Sequence, residues 1–316
     1  MFIEQGIRTD NKFWKYIIGS FIIILASTIG QVPLLLAVVM KSFADGNGLP
    51  TSEESLMKTL DPNATLFLIM LSFVFAIGGI YFVVRLMHRQ TLLSITTSRS
   101  KIDWNRVVFS FSVWAVITMI SSAIMYYMYP ENFVIDFKPV PFLFLVLIAT
   151  TMIPIQTTCE ELVFRGYLMQ GFGNLARNKW FPLVMTSVIF GTMHIFNPEV
   201  GKMGYIILVY YIGTGFFLGI ITLIDEGTEL ALGFHAANNL IGALLVTSDW
   251  TAFQTHSILK DISEPSAGID VIFPVLIVYP ALLFIFSKKY QWQHWQEKLS
   301  GKIQLQQPTK NEEYHD

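Results

Sequence analysis

Two adjacent glutamates and a nearby arginine are the first candidates for chemistry in this sequence. Glu160 and Glu161 follow an apolar run, residues 141–155, that resembles the start of a membrane-spanning helix, and Arg165 comes four residues after the second glutamate. A charged side chain near the centre of a bilayer costs about 2.5–3.5 kcal/mol. These residues therefore need partners, water or a function, unless they form a simple charge cluster at a helix end among the lipid headgroups.

Helix geometry predicts different roles for the two glutamates. Glu161 and Arg165 stand at i and i+4 in the favourable acid-before-base order, so we expect them to pair. Glu160 lies about 100° further round the helix and has no obvious local partner. A partly desolvated carboxylate of this kind can act as a general base.

Two histidines and an asparagine lie in later apolar segments. His235 stands four residues before Asn239, so these two side chains share a helix face. If the fourth and fifth spans form a hairpin that turns near Arg177, Glu160 lies beside His194. A lone intramembrane histidine is often only a hydrogen-bonded packing residue. Taken together, the positions instead predict that Glu160, His194, His235 and Asn239 share one cavity. From the rise per residue of a helix, this cavity lies about 10 Å below the cytoplasmic surface.

The elements that position these residues are membrane-spanning helices. The chain has 316 residues, of which 53% are hydrophobic and 14% charged, whereas soluble domains carry about 25% charged residues. A net charge of −2 indicates no nucleic-acid partner, and a single cysteine excludes an internal disulfide. The first apolar segment is too long for a signal peptide, so we expect it to remain as a span.

We predict an all-α polytopic membrane protein with about eight transmembrane helices in one bundle. The fourth helix is longer than a bilayer requires, and we expect it to kink at Pro154. The predicted spans are Tyr16–Met40, Thr65–Val84, Val107–Tyr129, Val140 to about Phe172, Trp180–Ile195, Met203–Ile224, Glu229–Thr247 and Asp270–Ser287. This divides the chain into three spans with their loops (1–140), five spans with the candidate site (141–287) and a polar tail (288–316).

The placement of lysine and arginine predicts the orientation in the membrane. These residues are concentrated in the N-terminal segment, in the second and fourth loops and in the tail from Lys288. The positive-inside rule therefore puts both termini in the cytoplasm. The sequence carries no organelle signal, so we expect the inner (plasma) membrane of a bacterium.

The polar residues form three short motifs in order along the late spans. They read Glu160-Glu161-x-x-x-Arg165, Phe190-x-x-x-His194 and His235-x-x-x-Asn239. This series resembles the CPBP family of intramembrane proteases, which groups type II CAAX prenyl endopeptidases with bacterial bacteriocin-processing and immunity (Abi) proteins. The motifs cover residues 160–239, and residues 1–140 are similar only in being hydrophobic spans.

The resemblance implies a role for each motif residue. Glu160 would activate the attacking water and His194 would hold it, while His235 and Asn239 would donate to the tetrahedral oxyanion. Arg165 would pair with Glu161. The implied substrate is a membrane-anchored peptide or protein within the lipid bilayer.

Two other chemistries at the same residues have to be weighed. Glu160, His194 and His235 could hold Zn²⁺ with one open position; we favour a site without a metal or other cofactor, because the oxyanion role already uses His235. Cys159 could be a nucleophile, but it points about 100° away from Glu160 on a helix, and a thiol in apolar surroundings stays protonated. The remaining histidines fall in loops or the tail, where we expect them to be solvated: His88, His256, His294 and His315.

Two rival functions remain open. One is a non-catalytic immunity or interaction protein with the same fold, although every motif residue is present. The other is a transporter, since intramembrane charges also mark proton and substrate paths. Transporters tend to show matching polar positions in repeated halves, whereas here the polar residues cluster in one half.

Overall fold

The computed structural model describes residues 1–7, 11–46 and 48–303, and it confirms an all-α membrane bundle with almost no strand. The α-helices are α1 (Phe13–Ala44), α2 (Glu53–Met57), α3 (Pro62–Phe82), α4 (Trp104–Met128), α5 (Pro139–Glu161), α6 (Met169–Ala176), α7 (Trp180–Met193), α8 (Pro198–Met203), α9 (Ile207–Asp225), α10 (Glu229–Leu245), α11 (Ile269–Phe273), α12 (Tyr279–Tyr290) and α13 (Trp295–Ser300). Segments of π-helix follow α3, α5 and α11, at Val83–Met87, Leu162–Leu168 and Pro274–Val278.

The number of spans is close to the prediction. Six helical segments in the described chain are long and apolar enough to cross a membrane: Phe13–Ala44, Pro62–Met87, Trp104–Met128, Pro139–Ala176, Ile207–Asp225 and Val271–Tyr290. The predicted fifth and seventh spans are shorter, at Trp180–Phe196 and Glu229–Leu245. At about 1.5 Å per residue, α10 is about 26 Å long. The predicted count of about eight is therefore approximate.

The long fourth span is one helical run that changes its hydrogen-bond pattern at the glutamates. α5 continues through Pro154 to Glu161, the π-helix follows directly, and α6 extends the run to Ala176. Segments of π-helix are rare and are often found at functional sites. Here the change of pattern begins at the residue after the two carboxylates.

Helix α10 is the centre of the bundle and packs against α4, α5 and α9. On one side Trp114 of α4 lies 4.4 Å from Phe234, measured between ring centroids. In the same cluster Phe217 of α9 lies 4.8 Å from Phe234 and stacks on Tyr279 of α12 at 4.7 Å. Because α10 is enclosed by other helices, its polar residues are shielded from lipid and can meet partners inside the protein.

A close contact between α7 and α9 brings the second motif to the site. A Cβ atom on Gly215 would lie 2.7 Å from the backbone oxygen of Ser187, so only glycine permits this approach. Gly219, four residues later, faces Leu183 in the same way. This spacing of small residues is the pattern that permits close helix packing in membranes.

Opposite ends of the bundle differ in composition. At the end that carries the N-terminus, Asp225 accepts from Arg99 at 2.9 Å and from Arg106 at 2.8 Å, and Trp292 donates to it at 2.9 Å. The other end carries a small sheet with strand order β1-β3-β2, in which β1 (Phe133–Ile135) is antiparallel and β2 (Val246–Ser248) parallel to β3 (Leu259–Asp261). The division of the chain into three segments stays a prediction.

The start of the polar tail is packed against the bundle. Helix α13 lies within it. Ile303 is buried and belongs to the same hydrophobic cluster as Ile3 and Leu183. The backbone N–H of Ile303 donates to the carbonyl of Arg177 at 2.9 Å. Residues 304–316 of the predicted tail lie outside the described residues.

The prediction that the loop histidines are solvated is wrong for His88. It is 2% exposed, its Nδ1 contacts the side-chain oxygen of Asn11, and its Nε2 lies 3.1 Å from the hydroxyl of Tyr167. The loop after α3 folds beneath the bundle and is covered by the N-terminal segment.

The other three histidines differ from one another. His256 is partly buried, and its Nε2 lies 3.1 Å from Asp61. His294 is exposed, as expected. His315 lies outside the described residues.

Candidate active site

Glu161 and Arg165 form the ion pair that their spacing predicts, and both side chains are fully buried. The guanidinium donates to the Glu161 carboxylate at 3.0 Å and to the backbone oxygen of Gly215 at 3.3 Å. It also lies 4.2 Å from the ring centroid of Phe190. Arg165 therefore joins the π-helix to α7 and α9.

His235 lies between the two glutamates, a contact that the sequence reasoning did not find. Its Nδ1 is 2.7 Å from the Glu161 oxygen that Arg165 also contacts, and its Nε2 is 3.5 Å from Glu160. A carboxylate paired with arginine only accepts, so Nδ1 carries the hydrogen. Nε2 is then the ring atom that faces Glu160. No spacing rule along one helix could reveal this contact, because it joins α5 to α10.

Glu160 is held by a neighbour one turn earlier and reaches the cavity with its other oxygen. Gln156 donates to one carboxylate oxygen of Glu160 at 2.5 Å. The Glu160 side chain is 17% exposed, in contrast to the fully buried Glu161. Gln156 was missed, although its position four residues before Glu160 on the same helix face was a usable signal.

Asn239 lies on the same face of α10 as His235, as the spacing of four predicts. Its amide nitrogen donates to the side-chain oxygen of Gln156 at 3.0 Å. Its amide oxygen accepts from Asn238 at 3.0 Å. The orientation of the Asn239 amide is thereby defined by bonds on both sides.

His194 stands at the end of α7, in the short 3-10 turn His194–Phe196. Its Nδ1 lies 2.8 Å from the backbone oxygen of Phe190, and its ring stacks on Tyr211 at 4.2 Å. A carbonyl oxygen only accepts, so Nδ1 carries the hydrogen. The Nε2 of the neutral ring is then a hydrogen-bond acceptor.

These side chains line one cavity of about 490 Å³. Five of the motif residues line it: Glu160, Phe190, His194, His235 and Asn239. Its walls come from α3, α5, α7, α9 and α10, and the lining continues to residues 251–253, beside the small sheet. Glu161 and Arg165 lie behind this wall and hold it in place.

A second cavity of about 450 Å³ meets the first at the same residues. Glu160, Phe190 and His194 line both cavities. The second is lined mainly by apolar side chains of α1, α3, α5 and α7 and includes Cys159. Glu160 and His194 therefore lie where a more polar cavity meets a more apolar one.

The choice between a metal-free site and zinc held by Glu160, His194 and His235 stays a prediction. In the described ranges, 1–7, 11–46 and 48–303, no three His, Cys, Asp or Glu side chains are grouped as metal ligands. Nδ1 of His235 is engaged with Glu161, and Nδ1 of His194 with a backbone oxygen. These bonds orient both rings and leave Nε2 of each outside them, and a histidine that holds a metal commonly donates its other ring N–H in this way.

Comparison with known proteins agrees with the motifs. Residues 139–241 match the family model described as "Type II CAAX prenyl endopeptidase Rce1-like", and this segment contains all seven residues of the three motifs. The predicted resemblance is confirmed.

A curated relative extends the similarity to most of the chain. It is a Bacillus subtilis (strain 168) protein described as "Uncharacterized protein YyaK", 26% identical over 295 residues, which cover 93% of this chain and 96% of the relative. The description of the relative states no activity. No solved structure matches the chain at a significant level.

Proposed function

We propose that this Rce1-like membrane protein is an intramembrane endopeptidase that cleaves a membrane-anchored peptide or protein by glutamate-activated water, without a metal. The observation that carries the proposal is the arrangement of the cavity. Glu160, His194, His235 and Asn239 come from three different helical segments and line one space.

The attacking water is held between Glu160 and His194. One water hydrogen points to the carboxylate of Glu160, and the other is accepted by Nε2 of His194, because Nδ1 of that ring is the donor to Phe190. Glu160 takes the water proton that points to it as the water oxygen bonds to the carbonyl carbon of the substrate. The carboxyl then returns this proton to the leaving amine as the C–N bond breaks.

The developing oxyanion is met by donors from α10. The side-chain amide nitrogen of Asn239 has two hydrogens. In the described chain one of them is donated to Gln156. The second is available to the cavity. Nε2 of His235 can donate as well when the ring is doubly protonated, with Nδ1 anchored on Glu161. Preorganised donors of this kind supply much of the rate in acyl-transfer enzymes.

The two cavities favour a substrate that is part polar and part apolar. The peptide bond would lie in the polar cavity at Glu160, and an apolar group joined to the peptide would occupy the second cavity. This suits the substrate type named in the Rce1-like family description. A hydrophobic bacteriocin precursor would also suit it.

We also propose a bacterial plasma membrane location with cytoplasmic termini. The described N-terminus, the basic loop that contains Arg89, Arg99 and Lys101, and the start of the tail lie at the same end of the bundle. The positive-inside rule places that end in the cytoplasm.

The deciding experiment compares membrane-associated peptides in cells that carry the wild type or Glu160→Gln. We expect one or a few peptides to appear with the wild type only, with the uncleaved precursor accumulating in the variant. Glu131→Gln, an exposed carboxylate after α4, is the matched control and should behave as wild type. Identical peptide sets from wild type and Glu160→Gln would contradict catalysis and would favour a non-catalytic interaction role.

A further inference from the structure

A continuous series of side-chain hydrogen bonds joins α4 to Glu160. Trp114 donates from its indole to Asn238 at 3.1 Å, and Asn238 donates to Asn239 at 3.0 Å. Asn239 donates to Gln156 at 3.0 Å, and Gln156 donates to Glu160 at 2.5 Å. We name these four bonds the amide relay.

The direction of the relay is fixed by the chemistry of both ends. An indole N–H can only donate, so Asn238 must turn its oxygen to Trp114 and its NH₂ to Asn239. The same logic turns the oxygen of Asn239 to Asn238. At the other end an ionised carboxylate can only accept, so Gln156 must turn its NH₂ to Glu160. Both ends require the same direction of donation.

This direction sets which atoms of Asn239 and Glu160 reach the substrate. With its oxygen held by Asn238, Asn239 presents N–H groups to the cavity. A flipped amide would present an oxygen and repel an oxyanion. With one Glu160 oxygen bound to Gln156, the other oxygen is left for the water.

We infer that Trp114, Asn238 and Gln156 are positioning residues for the hydrolysis, acting through Asn239 and Glu160. The inference rests on the proposed function for its effect on rate, while the relay itself can be observed without activity. Trp114 lies outside the family-matched segment 139–241. A residue of the N-terminal half of the chain would therefore set the direction of hydrogen bonding in the half that carries the motifs.

Ring packing and hydrogen bonding at Trp114 can be separated by substitution. Its ring lies 4.4 Å from Phe234 and 6.1 Å from Tyr279, measured between centroids, and the side chain is buried. Trp114→Phe keeps an aromatic ring in that cluster and removes the donor. The matched control is Trp292→Phe, which removes an indole donor to Asp225 at 2.9 Å, at the end of the bundle that carries the N-terminus.

The kinetic test measures kcat and KM for peptide cleavage. We expect Trp114→Phe to lower kcat about five-fold, the rate equivalent of one neutral hydrogen bond, with KM unchanged because Trp114 does not line the cavity. Asn238→Leu and Gln156→Met should lower kcat further, since they remove bonds nearer the reacting groups. Trp292→Phe should leave kcat at the wild-type value.

The double variant distinguishes a relay from independent contacts. Once Gln156→Met has broken the bond to Glu160, Trp114→Phe can act only through Asn239 and should lower kcat less than it does in the otherwise wild-type protein. Full additivity of the two losses would overturn the relay, and so would an unchanged kcat in Trp114→Phe. If Trp114→Phe does not fold, Asn238→Leu breaks the same first bond from α10 and takes its place in the cycle.

A spectroscopic readout keeps the inference separate from the proposed function. The full chain labelled with ¹⁵N at the indole has seven tryptophans, and the signal of Trp114 is the one lost in Trp114→Phe. Asn238→Leu should shift that signal, because the indole loses its acceptor. A signal unmoved by Asn238→Leu refutes the relay whatever the activity. A shifted signal in a protein without peptidase activity refutes only the proposed function.

Discussion

The buried pair of Glu161 and Arg165 should separate stability from catalysis. Both side chains are fully enclosed, so Glu161→Gln leaves a guanidinium unpaired inside the protein. Breaking a buried ion pair from one side typically costs about 3–5 kcal/mol. The yield and the thermal stability of Glu161→Gln should therefore fall along with its activity.

The double variant Glu161→Gln with Arg165→Met should recover most of that stability. In the described structure one oxygen of Glu161 and Nε of Arg165 have no hydrogen-bond partner, so the pair is incompletely satisfied. Replacing such a pair by groups of similar volume without charge is often neutral or stabilising.

Activity should not recover in the double variant. Nδ1 of His235 donates to Glu161 at 2.7 Å, and a neutral amide is a weaker acceptor than a carboxylate, by about 1 kcal/mol. His235 is then less firmly placed beside Glu160.

Glu160→Gln should do the opposite: it should keep stability and lose activity. Its stability is kept because an uncharged group is cheaper to bury, and its rate falls by at least the factor of about 10²–10⁴ that general-base catalysis supplies.

The assay combines melting in detergent solution with peptide cleavage for these variants. A double variant as unstable as Glu161→Gln would refute the ion-pair argument. A Glu161→Gln protein as stable as wild type would do the same. An active Glu160→Gln enzyme would show that the roles of the two glutamates are assigned wrongly.

Three further predictions concern the metal, the orientation and the packing. Cleavage should continue in strong chelators, with no stoichiometric zinc in the purified protein; activity lost in chelator and restored by Zn²⁺ would make His235 a ligand. A reporter fused after Lys288 should read as cytoplasmic and one near Gly46 as external, and the opposite readings would refute the charge-based topology. Gly215→Ala should lower the melting temperature, because its Cβ would meet the backbone of Ser187, whereas Gly78→Ala, with open space around it, should not.

The sequence predicted the features that depend on one helix at a time. The long apolar runs predicted the bundle, and the spacing of four residues predicted both the Glu161–Arg165 pair and the shared face of His235 and Asn239. Local periodicity is sufficient for these because neighbours at i and i+4 meet on any helix. The position of Gln156 carried the same signal and was overlooked.

Features that depend on how helices meet could not be predicted in this way. The contact of His235 with Glu161 joins residues 74 positions apart and is set by the packing of α10 against α5. The burial of His88 depends on the N-terminal segment that covers it. The π-helix after Glu161 leaves no mark in composition, because its residues are as apolar as those of α5.

In the proposed mechanism the position of His235 gives the two adjacent glutamates separate roles. One imidazole lies 2.7 Å from Glu161 and 3.5 Å from Glu160, on its two nitrogens. Glu161 is buried and paired, and so it fixes the ring and places the hydrogen on Nδ1. Glu160 is turned to the cavity, where it can exchange a proton with water. In the proposed mechanism the buried carboxylate that is paired with Arg165 anchors the histidine, and the partly exposed carboxylate of Glu160 accepts the proton.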